Sequence, residues 1–75
     1  MNYLLSQAGR ELVELDGNRA ECVAQVKAIA KGELIRCRAR YGEGYMHGSD
    51  GCYSITLAPD KRSMLWTSVG LVECR

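Results

Sequence analysis

Phenylalanine is absent from this chain, and proline, histidine and tryptophan each occur once. A core must therefore be assembled from Leu, Ile, Val, Met, Trp66 and some of the four tyrosines. The single histidine, His47, limits metal chemistry. Cys22, Cys37, Cys52 and Cys74 form no Cys-x-x-Cys pair, whereas structural zinc needs four close ligands, usually in two short-spaced pairs. No metal and no other cofactor is expected. A Cys52–His47 nucleophile pair would need a lowered thiol pKa, an orienting third group and an oxyanion site. No motif marks these, and the carboxylates are dispersed, so no catalytic residue is assigned and no enzyme activity is expected.

Long apolar runs are missing too. Nothing approaches the roughly 18 residues that a membrane span requires. Met1–Gln7 lacks the basic and apolar regions of a signal peptide. The expectation is a cytoplasmic protein without a membrane partner, its thiols reduced and mostly buried. The formal net charge is +1, so no molecule-wide field favours nucleic acid or membrane, and any electrostatic contact must be local.

What is present suits a small folded domain. Residues 1–75 are read as a single domain, a size that buries only about 60% of its unfolded surface. Leu4, Leu5, Ala8, Leu12 and Leu15 fall on one face at helical pitch, which predicts a helix over residues 2–16. Gly9 weakens that reading, and a short strand through Glu11–Leu15 is the rival. Residues 19–31 predict a helix with Asp16 or Asn18 as cap. Its stripe is Cys22, Val23, Val26, Ile29 and Ala30, and Gly32 stands where a helix commonly ends.

From Leu34 the apolar period shortens to two. Ile35, Cys37, Ala39 and Tyr41 alternate with Arg36, Arg38 and Arg40, which predicts a half-buried strand. A glycine-rich turn over residues 42–51, a strand over Cys52–Ala58, a turn at Pro59-Asp60 and a strand over Ser63–Cys74 follow. Gly70 is read as a bulge or bend. The predicted fold class is α+β, with one or two N-terminal helices packed on a three-stranded antiparallel sheet. The alternative order is β-α-β-β-β.

On a strand, Arg36, Arg38 and Arg40 would share one face at about 6.6 Å intervals. Such a row suits phosphates or carboxylates, which guanidinium groups pair bidentately. Lys61 and Arg62 in the next turn extend the patch, and Tyr45, Met46 and His47 in the glycine-rich loop offer adaptable packing. Trp66 is read as core; exposed between Met64 and Leu65 it would instead be a binding hot spot.

These residues predict a small non-enzymatic module that binds a protein and blocks or regulates a larger macromolecule. In size and character it compares with phage- or mobile-element-encoded inhibitors of the anti-CRISPR type. The expected partner surface is acidic or nucleic-acid-binding. Direct nucleic-acid binding through the Arg36/Arg38/Arg40 strand is the alternative, and edge-to-edge homodimerisation, most readily through the last strand, is a third possibility.

Overall fold

A computed structural model describes residues 3–60 and 64–74. Its five strands are Tyr3–Gln7 (β1), Val13–Leu15 (β2), Tyr45–Ser49 (β3), Cys52–Thr56 (β4) and Leu65–Glu73 (β5), and its one helix is Arg19–Tyr41 (α1). All strand pairs are antiparallel, in the order β2-β1-β5-β4-β3. The expected three-stranded sheet with one or two N-terminal helices is thus corrected to a five-stranded sheet with a single helix. The alternative order also falls short, because residues 3–15 supply two strands.

The first correction has a simple cause. Leu4, Leu5, Leu12 and Leu15 are spaced as on a helix, but a chain reversal separates them. Gly9 takes a left-handed φ of 76°, and the Arg10 amide bonds the Gln7 carbonyl at 3.1 Å. Leu5 and Leu15 then point to the same side of the sheet and are buried, while Leu12 is exposed. Two strands of five and three residues are too short to display their own period.

The second correction concerns α1, which runs through Gly32 to Tyr41. Gly32 faces open space and costs a helix interior about 1 kcal/mol relative to Ala. The nine residues that follow include Leu34, Arg36, Arg38, Ala39 and Arg40, all good helix formers. Cys37 holds the extension down, fully buried on the same stripe as Cys22, Val26 and Ala30. Of the four residues that suggested a strand, Ile35, Ala39 and Tyr41 are exposed. The helix stops one glycine later, at Gly42, whose φ is 79° and whose N–H donates to the Arg38 carbonyl.

The small side chains of that stripe let α1 lie close along the sheet. Twenty-three residues at 1.5 Å each make a helix of about 34 Å, close to the 37 Å long axis of the molecule. Beneath it lie Leu5, Leu15, Tyr53, Ile55 and Val69, all buried. Strand alternation sends Leu4, Ser6, Tyr45, His47, Cys52, Ser54, Ser68 and Gly70 to the other face, where no described helix or strand packs, while Thr56, at the β4–β5 irregularity, is fully buried.

The turn and second strand of the β3–β4 hairpin are legible from sequence, but its first strand, Tyr45–Ser49, replaces the expected loop. Asp50 and Gly51 both have positive φ, 52° and 87°, as a type I′ turn demands. Gly70 pairs regularly with Ser6 and Cys52, so it is not the predicted bulge. The irregularity lies between Ile55 and Thr56, opposite Trp66, and it turns the indole toward the helix.

Candidate partner-binding surface

The proposed arginine row does not exist as a row. Successive helical residues are about 100° apart, so Arg36 and Arg40 share a flank while Arg38 points almost oppositely. Each has its own local engagement. Arg36 pairs with Glu33 at 3.2 Å. The Arg38 Nε donates to the Gly44 carbonyl at 3.0 Å. The Arg40 guanidinium lies 5.6 Å from the Tyr41 ring centroid, within cation–π range.

The rest of the expected surface is also redistributed. Tyr45, Met46 and His47 are half-buried residues of edge strand β3, not tips of an adaptable loop. Met46 packs toward the core. Lys61 and Arg62 lie outside the described residues. The His47 Nε2 is 3.1 Å from the Thr56 hydroxyl, and that hydroxyl donates to the Ala58 carbonyl at 2.6 Å. Thr56 has one proton to give, so His47 must be the donor at Nε2. This bond draws the ring toward Thr56, and no hydrogen bond links it to Cys52. The same open face forms a shallow groove of about 380 Å³ lined by Ser6, His47, Cys52, Ser54, Ser68 and Gly70 without any charged side chain. Among the described residues no group of three His, Cys, Asp or Glu could hold a metal.

The two ends of α1 contrast sharply. At the N-terminus, Asn18 accepts from the Glu21 amide and Glu21 accepts from the Asn18 amide, both at 2.9 Å, a complete capping box. Arg19 grips Asp50 in the hairpin turn with two hydrogen bonds, at 3.0 and 3.1 Å. The hydrogen bonds and charge of Arg19 hold the Asp50 carboxyl below the usual carboxylate range. Gln25 donates to the Asp16 carbonyl at 2.8 Å.

At the C-terminus the surface is apolar. Tyr41 and Trp66 meet edge to face, centroids 5.5 Å apart at 78°. Tyr41 is 49% exposed, and Leu65 and Met64, which precede Trp66 in the chain, are 60% and 71% exposed. Trp66 is half-buried and packs against the core. Its Nε1–H is buried and has no hydrogen-bond partner among the described residues, an arrangement that native proteins largely avoid. Met64 holds a left-handed backbone, φ 35°, which is costly for a large side chain. Tyr41, Met64, Leu65 and Trp66, rimmed by Arg40, have the composition of an interface hot spot. The signal was present in the Met64-Leu65-Trp66 run. What sequence could not supply was Tyr41, which a strand would have placed elsewhere.

Charge is unevenly shared as well. Residues 19–41 hold six of the ten Lys/Arg and two of the nine Asp/Glu, a net of +4. The remaining residues hold four against seven, a net of −3. Lys27, Lys31 and Arg38 fall within about 40° of one another on the outward side of α1.

Buried thiols behave as core. Cys22 and Cys37 are fully buried, whereas Cys52 and Cys74 are exposed. Burial pushes the Cys37 thiol pKa up, and its S–H donates to the Glu43 carbonyl at 3.4 Å.

No protein-family model, curated protein or solved structure matches this chain. No helix among the described residues is long and apolar enough to cross a membrane.

Proposed function

We propose that this protein is a small non-enzymatic binding module that docks onto a larger protein and blocks or regulates it. The contact surface is the corner where the end of α1 meets the start of β5. The observation that carries this reading is the exposure of three large apolar side chains, Tyr41 in ring contact with the half-buried Trp66, and Met64 and Leu65 just before it in the chain. Leaving them in water is unfavourable by about 25 cal/mol per Å² of apolar surface, and a partner that covers them recovers that free energy. The net +4 of α1 favours a partner with an acidic surface. Inhibitors encoded by phages and mobile elements are the functional class that best matches this size and lack of chemistry.

The test is differential capture. Wild-type protein and the double variant Tyr41→Ala/Leu65→Glu are immobilised side by side, and the affinity of any protein retained only by the wild type is measured. A loss of about 30-fold or more is expected, the equivalent of one hot-spot residue at about 2 kcal/mol. Equal retention by a folded double variant refutes the corner as the contact.

Nucleic-acid binding is the second reading, and the cationic stripe of Lys27, Lys31 and Arg38 favours it. Affinity for a duplex would then fall steeply with salt and be lost in Lys27→Glu/Lys31→Glu. No retardation at low salt removes it.

A further inference from the structure

One copy of the chain carries two exposed surfaces of opposite charge that cannot meet each other. The first is the sheet edge at β2. Glu11, Glu14 and Asp16 lie along it, and Leu12 and Val13 stand exposed between the first two. The second is the outward flank of α1. Lys27, Lys31 and Arg38 share it, with the exposed Ile35 between the last two. Among the described residues no salt bridge neutralises either set. Their places in the fold keep them apart. Gln25 reaches the Asp16 carbonyl at 2.8 Å, so its side of α1 faces β2. Lys27, two residues further on, points about 160° away from Gln25. Arg38 reaches the carbonyl of Gly44, which leads into β3 at the far edge of the sheet.

The two surfaces also match in spacing. At the helical rise of about 1.5 Å per residue, Lys27 and Lys31 are about 6 Å apart, and Lys31 and Arg38 about 10.5 Å apart. At the strand rise of about 3.3 Å per residue, Asp16 and Glu14 are about 6.6 Å apart, and Glu14 and Glu11 about 10 Å apart. Laid antiparallel, the sets bring Lys27 to Asp16, Lys31 to Glu14 and Arg38 to Glu11. The same register places Ile35 beside Leu12 and Val13.

We propose that the α1 flank is a docking surface and that its occupant is the β2 edge of a second copy of this chain. Charge complementarity, charge spacing and the aliphatic contact between the charges agree on that occupant. The two surfaces face opposite ways on one copy, so the contact is head-to-tail and each copy offers its free edge to the next. Exposed ion pairs are individually weak and are screened by salt, so the assembly is reversible and belongs to low ionic strength. Side chains hold it, not a shared strand ladder. The last strand, β5, expected from sequence as the pairing edge, lies at the centre of the sheet. The contact is independent of the Tyr41 corner and competes with nucleic acid for the same flank.

Sedimentation equilibrium from about 10 µM to about 1 mM, the range in which weak contacts dissociate, tests the proposal. It is run at about 0.01 M and about 1 M salt, where the screening length is roughly 30 Å and 3 Å. At low salt the wild-type mass should rise with concentration and pass twice the monomer mass. At high salt it should stay monomeric. Glu14→Lys and Lys31→Glu, both at exposed positions, should each shift the midpoint about fivefold or more to higher concentration. The double variant Glu14→Lys/Lys31→Glu keeps the wild-type net charge and rebuilds the pair with its signs exchanged, so its midpoint should return. Glu14→Lys/Arg10→Glu has the same net charge without the pair and should stay shifted. Circular dichroism should be unchanged in all of them. Tyr41→Ala/Leu65→Glu should leave the midpoint where it is, which separates this contact from the corner. A monomer mass throughout at low salt overturns the proposal. So does association that survives high salt, a sign-exchanged double variant that fails to recover, or equal recovery in both double variants. A monomer that instead retards a duplex assigns the flank to nucleic acid and equally overturns self-docking.

Discussion

The N-terminal end of α1 is closed and the C-terminal end is open. At the first, a reciprocal cap, a two-pronged Arg19–Asp50 pair and a glutamine bridge satisfy the polar groups. At the second, a glycine cap ends the helix beside exposed Tyr41, which meets Trp66, whose buried indole N–H has no partner among the described residues. The difference suggests a division of labour along one element. One end anchors the helix to the hairpin, and the other is left apolar and exposed. Mutations at the two ends should therefore change different observables.

The largest effect is expected at the open end. Tyr41→Ala/Leu65→Glu should weaken partner binding by about 30-fold or more, while a thermal unfolding curve shows a smaller loss, confined to the Tyr41–Trp66 ring contact, worth about 0.5–1.5 kcal/mol. At the closed end Asn18→Ala should do the reverse. Loss of the cap costs about 1 kcal/mol, or a Tm lower by about 4–8 °C in a domain this small, with partner affinity unchanged. A shared effect in both assays would erase the distinction between the two ends.

Met64→Gly sharpens it further. Relief of the left-handed backbone offsets the added chain entropy of glycine, so stability should stay within about 1 kcal/mol of wild type. Binding should nevertheless fall, because the exposed thioether is gone. A clear loss of stability with intact binding would show that Met64 serves the fold.

The smallest effect belongs to Asp50. Its carboxyl is held below the ordinary range by Arg19, so the pair contributes stability above the unfolded carboxyl pKa of about 3.9 and loses it as pH falls through the lower folded value. Both groups are exposed, which keeps the contribution small. Denaturation midpoints of wild type and Asp50→Asn should differ slightly at pH 6 and converge toward pH 2. A difference that persists at pH 2 would mean that Asp50 acts through its turn geometry.

How far the sequence could be read depended on whether local signals were decisive. The Asp50-Gly51 turn and the strand after it were legible because only one tight turn tolerates positive φ at both positions, whereas the strand before it, Tyr45–Ser49, was hidden in the expected loop. The helix start near residue 19 and the burial of Cys22 and Cys37 were legible too. Residues 33–41 were not. Ile35, Cys37, Ala39 and Tyr41 alternate by coincidence, and only Cys37 is buried. Continuation of the helix across Gly32 was decided by a tertiary contact at Cys37 that no local window displays. The proposed binding corner needs Tyr41 and Trp66 together, residues 25 positions apart that meet only once that helix is complete.

The order of strands has a consequence for biosynthesis. β1 lies between β2 and β5, and Gln7 pairs with Val69. At about 5–20 residues per second, roughly 3 to 12 seconds separate the emergence of β1 from that of its central neighbour. Through that interval β2 and α1 can already pack on β1, but its other edge waits for β5, and chaperones have their best opportunity to hold it.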